Sequence, residues 1–253
     1  MLKKLFGIVL TLLCKPVAYM LRNDLVRQEI WKNTNFRPEG HLCHWCCTPN
    51  NLEEEVYKLA TRQSAEYVLA NMSSISGTAD RYFMLKYCVQ RAMPEGLVLE
   101  FGVYNGDSVN LIADNVEATV HGFDSFEGLP EDWESCQAGQ FTRDGKLPEV
   151  RQNVQLHAGW FDETLPSFVS AHKEQVAFLH VDSDLYSSAC TIFSQLKDQI
   201  RKGTVIVFDE YFNYPNWQEH EFKAFQEFVQ EYDIKYEYIA YCSRGYSVGV
   251  LIL

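Results

Sequence analysis

From Gly96 onward the chain repeats one texture: a short apolar run, a polar turn, then a stretch of helix length. LVLEFG (97–102), ATVHGFD (118–124), NVQLHAG (153–159), VAFLHVDSD (176–184) and GTVIVFDEY (203–211) are five such runs. Runs this short, and this rich in Val, Leu, Ile and Phe, read as strands, while spacers such as SSACTIFSQLKDQI (187–200) carry helical periodicity. Apolar strands alternating with helices specify a parallel sheet covered on both faces, because each crossover lays a helix over the sheet. With 47% hydrophobic residues in 253, the chain has enough apolar material for one sizeable core of that kind.

The two ends modify this pattern. Residues 1–92 read as a helical N-terminal extension ahead of an α/β domain over 93–253. Within the extension, 51–72 has apolar residues at 52, 56, 59, 60, 65, 68 and 69, and a second helix is expected over 78–89, started by Thr78 and Asp80. At the other end, 217–232 reads as a helix. KYEYIAYCS (235–243) and YSVGVLIL (246–253) flank Arg244-Gly245, a hairpin signal. The expected fold is therefore α/β and Rossmann-like: a mostly parallel sheet with a C-terminal antiparallel hairpin strand at or near its edge. That arrangement is typical of class I S-adenosylmethionine (SAM) methyltransferases and not of nicotinamide dehydrogenases.

Charge and cysteine usage narrow the partners. With 22 basic against 34 acidic residues the net charge is −12, and such a chain has no electrostatic footprint for a phosphate backbone, so nucleic acid is excluded as a partner. The eight cysteines lack the pairing density of a small secreted scaffold and read as mainly reduced thiols of a cytoplasmic protein. Residues 1–30 are locally basic, and the apolar run LFGIVLTLLC (5–14) is too short to span a bilayer. A helix packed on the domain or on a second subunit of a homo-oligomer is one reading of residues 1–20. Peripheral membrane contact is the other. HLCHWCC (41–47) holds a lone Cys43-x-x-Cys46 beside His41, His44 and Cys47, which reads as packed or reactive thiols before it reads as a zinc site.

The first strand leads into EFGVYNGDS (100–108). A dinucleotide site places Gly-x-Gly-x-x-Gly there and sets a pyrophosphate on the helix that follows. Here Glu100 occupies the first position of such a run, where an anion repels a pyrophosphate and attracts an ammonium group. SAM has an ammonium and no phosphate. Gly102 and Gly106, with Val103 and Tyr104 between them, would let the backbone approach its amino-acid tail, and Asp107 and Ser108 would begin the next helix. An ordinary strand-to-helix turn would use the same residues. The second strand supports the cofactor reading, because it ends at Asp124-Ser125, close to the interval at which an acid binds a ribose diol.

Taken in order and spacing, FGVYNGDS, HGFDSFEGLPEDW, AGWFDETLP, HVDSDLYSS and GTVIVFDEY resemble the macrocin O-methyltransferase family over about residues 83–228. The resemblance implies a class I SAM-dependent enzyme that methylates hydroxyls, among them sugar hydroxyls of natural products, with a bound divalent metal. In this sequence the metal has an evident place. His180, Asp182 and Asp184 alternate and would share one face of an extended strand, and the next strand ends at Asp209-Glu210. Crowded carboxylates repel one another unless a cation neutralises them, and an all-oxygen set suits Mg²⁺. Asp184, Asp209 and Glu210 are the expected ligands, with Asp182 able to replace one of them or to touch the SAM. Asp182 and His180 are the candidate bases for an acceptor hydroxyl, with His157 a weaker third.

Trp160, Phe161 and Asp162 are expected against the adenine, in the loop after the third strand, and YFNYPNW (211–217) is expected as an aromatic platform for the acceptor or as a packed loop. The acceptor is a small molecule, expected to contain a sugar. Two other functions compete with this reading. One keeps the fold but carries out hydroxylase-like or N-methyl-transfer chemistry. The other is a SAM-binding or membrane-surface partner without turnover, and it has no need of the carboxylate cluster.

Overall fold

The computed structural model of the protein describes residues 51–253. The apolar segment 1–20, the HLCHWCC cluster and the helical reading of 1–50 lie outside the described residues. The first helix is α1, Leu52–Asn71, capped by the Asn51 side chain, which accepts from the Glu53 amide at 3.1 Å. Helix α2, Arg81–Val89, is capped by Asp80, which accepts from the Phe83 amide at 3.0 Å. Asp80 does here what an N-cap residue does: it occupies an amide that the first turn leaves unpaired.

The sheet has seven strands: β1 Leu97–Phe101, β2 Val120–Asp124, β3 Val154–Ala158, β4 Val176–Val181, β5 Val205–Phe208, β6 Tyr236–Tyr241 and β7 Val248–Ile252. Their order is β3-β2-β1-β4-β5-β7-β6, with β1 to β5 parallel and β7 antiparallel to both of its neighbours. The expected hairpin is β6–β7, and its second strand inserts between β5 and β6. This is the Rossmann-like class I methyltransferase fold. Helices α3 (Asp107–Ala113), α4 (Phe161–Ala171), α5 (Tyr186–Leu196) and α6 (Glu221–Glu231) follow β1, β3, β4 and β5.

The central strands are buried on both faces, as continuous apolar runs require. One face packs Leu99, Phe101 and Leu179 against Leu165, Phe168, Ile192, Phe193 and Phe225 of α4 to α6. The other packs Val98, Phe178 and Val205 against Met84, Leu85, Val109 and Ile112 of α2 and α3. Helix α1 is tied in through Tyr67, whose hydroxyl lies 2.5 Å from that of Tyr238 on β6.

Two departures from the sequence pattern matter for the site. The spacer between β2 and β3 holds no helix, because Gly128, Pro130, Gly139, Gly145 and Pro148 interrupt it. It is a long loop folded back on Phe126, whose carbonyl accepts from the amides of Arg143 and Gly145 at 3.0 Å each. The second departure is at β4, which stops at Val181. Asp182 still bonds to Phe101 of β1 and converges with His180, but the chain turns at Asp184, at φ +62°, so the expected shared face stops short of Asp184.

Candidate functional site

The carboxyl ends of β1, β2, β4 and β5 open into one cavity of about 650 Å³. The crevice lies at the sheet's switch point, where β1 is flanked by β2 on one side and β4 on the other. Gly102, Tyr104, Asp124, Ser125, Trp160, Phe161 and Asp162 line it, and so do the acids Asp182, Asp184, Asp209 and Glu210.

Gly102 has two reasons to be glycine. Its φ is +94°, and a Cβ there would sit 1.7 Å from the Asp182 carbonyl oxygen. Only a bare backbone lets β1 and β4 end so close together. Gly106, also at positive φ, caps α3. Between them the chain turns under Asp124. One Asp124 oxygen accepts from the Val103 and Tyr104 amides at 2.8 Å each, and the other accepts from the Phe126 amide at 2.7 Å. The acid at the end of β2 thus fixes the glycine loop while still facing the cavity.

Glu100 does not reach the cavity. It is fully buried in β1, and its Oε1 lies 2.7 Å from His180 Nδ1 on the neighbouring strand. Burial raises its pKa, and the contact with His180 draws it back. The expectation that Glu100 meets a ligand ammonium directly does not fit this burial: it lies beneath the loop, against His180. The same holds for His180 as a base. With one ring nitrogen held by Glu100 and almost no exposure, it is not placed to take a proton from a bound acceptor. Val103 and Ser108 are buried, and neither they nor Gly106 and Asp107 line the cavity. They shape the turn from behind. His157 stacks on Phe123 and lies 3.1 Å from His121, away from the acids.

The acids do converge. Carboxylate oxygens of Asp182, Asp184 and Glu210 lie within 4.8 Å of one another, as do ligand atoms of His180, Asp182 and Asp209. Asp182 is common to both groups. Burial together with the charge of Asp209 pushes Asp184 up to about 7. Burial, then Asp209 and the other acids, raises Asp182 and Glu210 well above the ordinary carboxylate range. Asp209 accepts from the Ser247 hydroxyl at 3.0 Å and pairs with Arg81 of α2. Glu210 Oε2 is buried with no hydrogen-bond partner among the described residues. A set of crowded oxygens, one of them without a partner, fits a hard divalent cation.

Three features were not foreseen from sequence. Arg81 and Trp133 line the cavity, Trp133 from the long β2–β3 loop. Glu221, the first residue of α6, is a further fully buried acid beside the cluster. Conversely, Tyr211, Phe212, Tyr214 and Trp217 are core residues, none more than 3% exposed, so YFNYPNW is a packed loop and not a platform. The aromatic surfaces facing the cavity are Tyr104, Trp133, Phe141, Trp160, Phe161 and Tyr246.

Comparison with known proteins agrees with this geometry. Residues 99–211 match the family described as a methyltransferase domain. The chain is 27% identical to demethyldecarbamoylnovobiocin O-methyltransferase of Streptomyces niveus, across 74% of this chain and 79% of that one. It is 28% identical to 8-demethyl-8-(2,3-dimethoxy-alpha-L-rhamnosyl)-tetracenomycin-C 4'-O-methyltransferase of Streptomyces olivaceus, across 50% of this chain and 58% of that one. Among solved structures it resembles the calicheamicin methyltransferase CalS11, with a TM-score of 0.54, 18% identity, and coverage of 85% of this chain and 98% of that one. The chain is thus an enzyme, a methyltransferase on the Rossmann-like class I fold, the fold that uses S-adenosylmethionine.

Proposed function

We propose that the chain transfers a methyl group from SAM to a hydroxyl of a sugar-containing small molecule, assisted by a divalent cation such as Mg²⁺. The observation that carries this reading is a single cavity lined both by Asp124 with the glycine loop and by a cluster of oxygen ligands. The two Streptomyces relatives, both named as O-methyltransferases, support the acceptor class, and the motifs shared with the macrocin O-methyltransferase family support it further.

In this reading the Gly102–Gly106 loop holds the amino-acid tail of SAM, with Glu100 acting through that loop. Asp124 accepts the ribose hydroxyls, and Trp160, Phe161 and Asp162 enclose the adenine. Asp182, Asp184 and Glu210, whose oxygens converge, would hold the cation, with Asp182 in the place first expected for Asp209; when bound the cation lowers the pKa of a nearby hydroxyl. Asp182 takes the ligand role because it belongs to both groups of converging atoms. The rest is positioning: the acceptor oxygen must lie in line with the methyl–sulfur bond. The described part of the N-terminal extension, 51–92, is proposed to cap the acceptor side, with Arg81 as its contribution to the cavity wall.

The test is to incubate the protein with methyl-labelled SAM, Mg²⁺ and fractionated extract of its host cell, and to identify the labelled product. A base-stable methyl ether on a glycoside is expected. Label found only as a methylamine or a base-labile ester would overturn the reading.

A further inference from the structure

We infer that Glu221 is a positioning residue, which sets the turn carrying Asp182 and Asp184. The inference rests on the proposed role of those two acids. Glu221 opens α6, a helix 11 residues long, and is fully buried. A carboxyl group is costly to bury, so its contacts should account for it. Its Oε1 accepts from the Ser183 backbone amide at 3.0 Å and from the Ser183 hydroxyl at 3.2 Å. Ser183 is the residue between the two acids.

The need for such a contact follows from where β4 ends. Asp182 makes the last bond toward β1, donating its amide to the Phe101 carbonyl at 2.8 Å. Beyond it the chain leaves the ladder, and a buried amide without an acceptor is strongly disfavoured. Asp184 must then enter the left-handed region, at φ +62°, which a non-glycine residue adopts only when its surroundings hold it there. The Leu185 amide closes the turn on the Ser183 carbonyl at 2.6 Å, and the Leu185 side chain is buried beneath. Glu221 is the contact from outside the turn that fixes its centre. The helix N-terminus behind Glu221 favours a negative group at this position. Its Oε2 has no hydrogen-bond partner among the described residues.

The two contributions, the hydrogen-bonding oxygen and the ionisable carboxyl, separate in substitution. Glu221→Gln keeps an oxygen for Ser183 and removes the carboxyl, whereas Glu221→Leu removes both. Glu221→Asp is a milder change that keeps the carboxyl but withdraws the oxygen by one methylene. Hydrogen exchange of the peptide spanning 179–186 and titration of Mn²⁺ by electron paramagnetic resonance would be read in the full-length chain, with binding of demethylated SAM as a control. Protection at Ser183 should persist in Glu221→Gln and fall about tenfold or more in Glu221→Leu and Glu221→Asp. Mn²⁺ affinity should drop about tenfold in Glu221→Leu and less in Glu221→Gln, while cofactor affinity changes by less than about threefold. If Glu221→Leu does not fold, the exchange of Glu221→Asp against Glu221→Gln decides. Unprotected Ser183 in the wild type, or equal protection in all variants, would overturn the inference. Wild-type protein that binds no Mn²⁺ but shows the exchange pattern would overturn the metal reading and leave the role of Glu221 standing.

Discussion

Glu100 and His180 are register partners on neighbouring parallel strands, joined by a 2.7 Å contact between Oε1 and Nδ1 with almost no exposure on either side. Glu100 precedes the glycine loop by two residues, and a ring nitrogen of His180 lies within 4.8 Å of carboxylate oxygens of Asp182 and Asp209. Removing one partner leaves the other buried and unpaired. His180→Leu is expected to destabilise the protein by about 3–5 kcal/mol, and Glu100→Gln, which can still accept from the ring, by about 1 kcal/mol. Urea unfolding of the two variants checks this order. A Glu100→Gln variant that loses as much stability as His180→Leu would contradict it.

A histidine group at the β3 side of the sheet predicts the pH dependence of stability. Burial, then the nearby His157 and His172, pushes His121 down to about 4. The unfolded chain accepts this proton near the ordinary value of 6.5, before the folded chain does. The unfolded state therefore binds more protons between these two values, and stability present above about 6.5 is lost as the pH falls toward about 4. Burial likewise lowers His157, which adds to the loss in the same direction. Melting temperatures measured between about pH 7 and about pH 5 should fall more steeply in the wild type than in His121→Asn, by ~5 °C. Parallel curves would remove His121 from the account.

Asp124 is predicted to govern cofactor binding. Asp124→Ala removes the acceptor of the Val103 and Tyr104 amides and the acid assigned to the ribose, so the loop and the ligand both lose a partner. Demethylated SAM should raise the wild-type melting temperature by preferential binding to the folded state, and NAD should not. In Asp124→Ala the dissociation constant measured by calorimetry should rise by about 10²-fold, equivalent to about 2.7 kcal/mol. Binding unchanged by this substitution would place the ribose elsewhere.

Much of this arrangement was legible in the sequence because its signals are local. The five apolar runs match β1 to β5 to within a few residues, and Arg244-Gly245 marks the β6–β7 turn. The place of Asp124 at the end of β2, on the cavity wall, was legible since both the strand and the acid that ends it lie in one local stretch of chain. The roles of Glu100 and His180 were not. Nothing local says that β1 and β4 set these two residues in register and satisfy them against each other, below the cavity. Alternation along VAFLHVDSD was misleading for a related reason: the strand ends at Val181, where the ladder ends, and the following turn is held by Glu221 from 37 residues beyond Asp184. The aromatics of 211–217 show the opposite limit. Their composition suits a sugar platform, but α1, α6 and β6 bury them.

The proposed chemistry is tested most directly by methyl transfer with and without a chelator. Label from SAM should appear in a base-stable product when Mg²⁺ is present. Excess EDTA should lower the rate by ~10²-fold or more, with binding of demethylated SAM nearly unchanged, and added Mg²⁺ should restore it. Asp182→Asn, which removes the acid common to both groups of converging ligand atoms, should reproduce the defect without rescue by Mg²⁺. Undiminished transfer in excess EDTA would contradict the account and leave the carboxylate cluster to act without a metal.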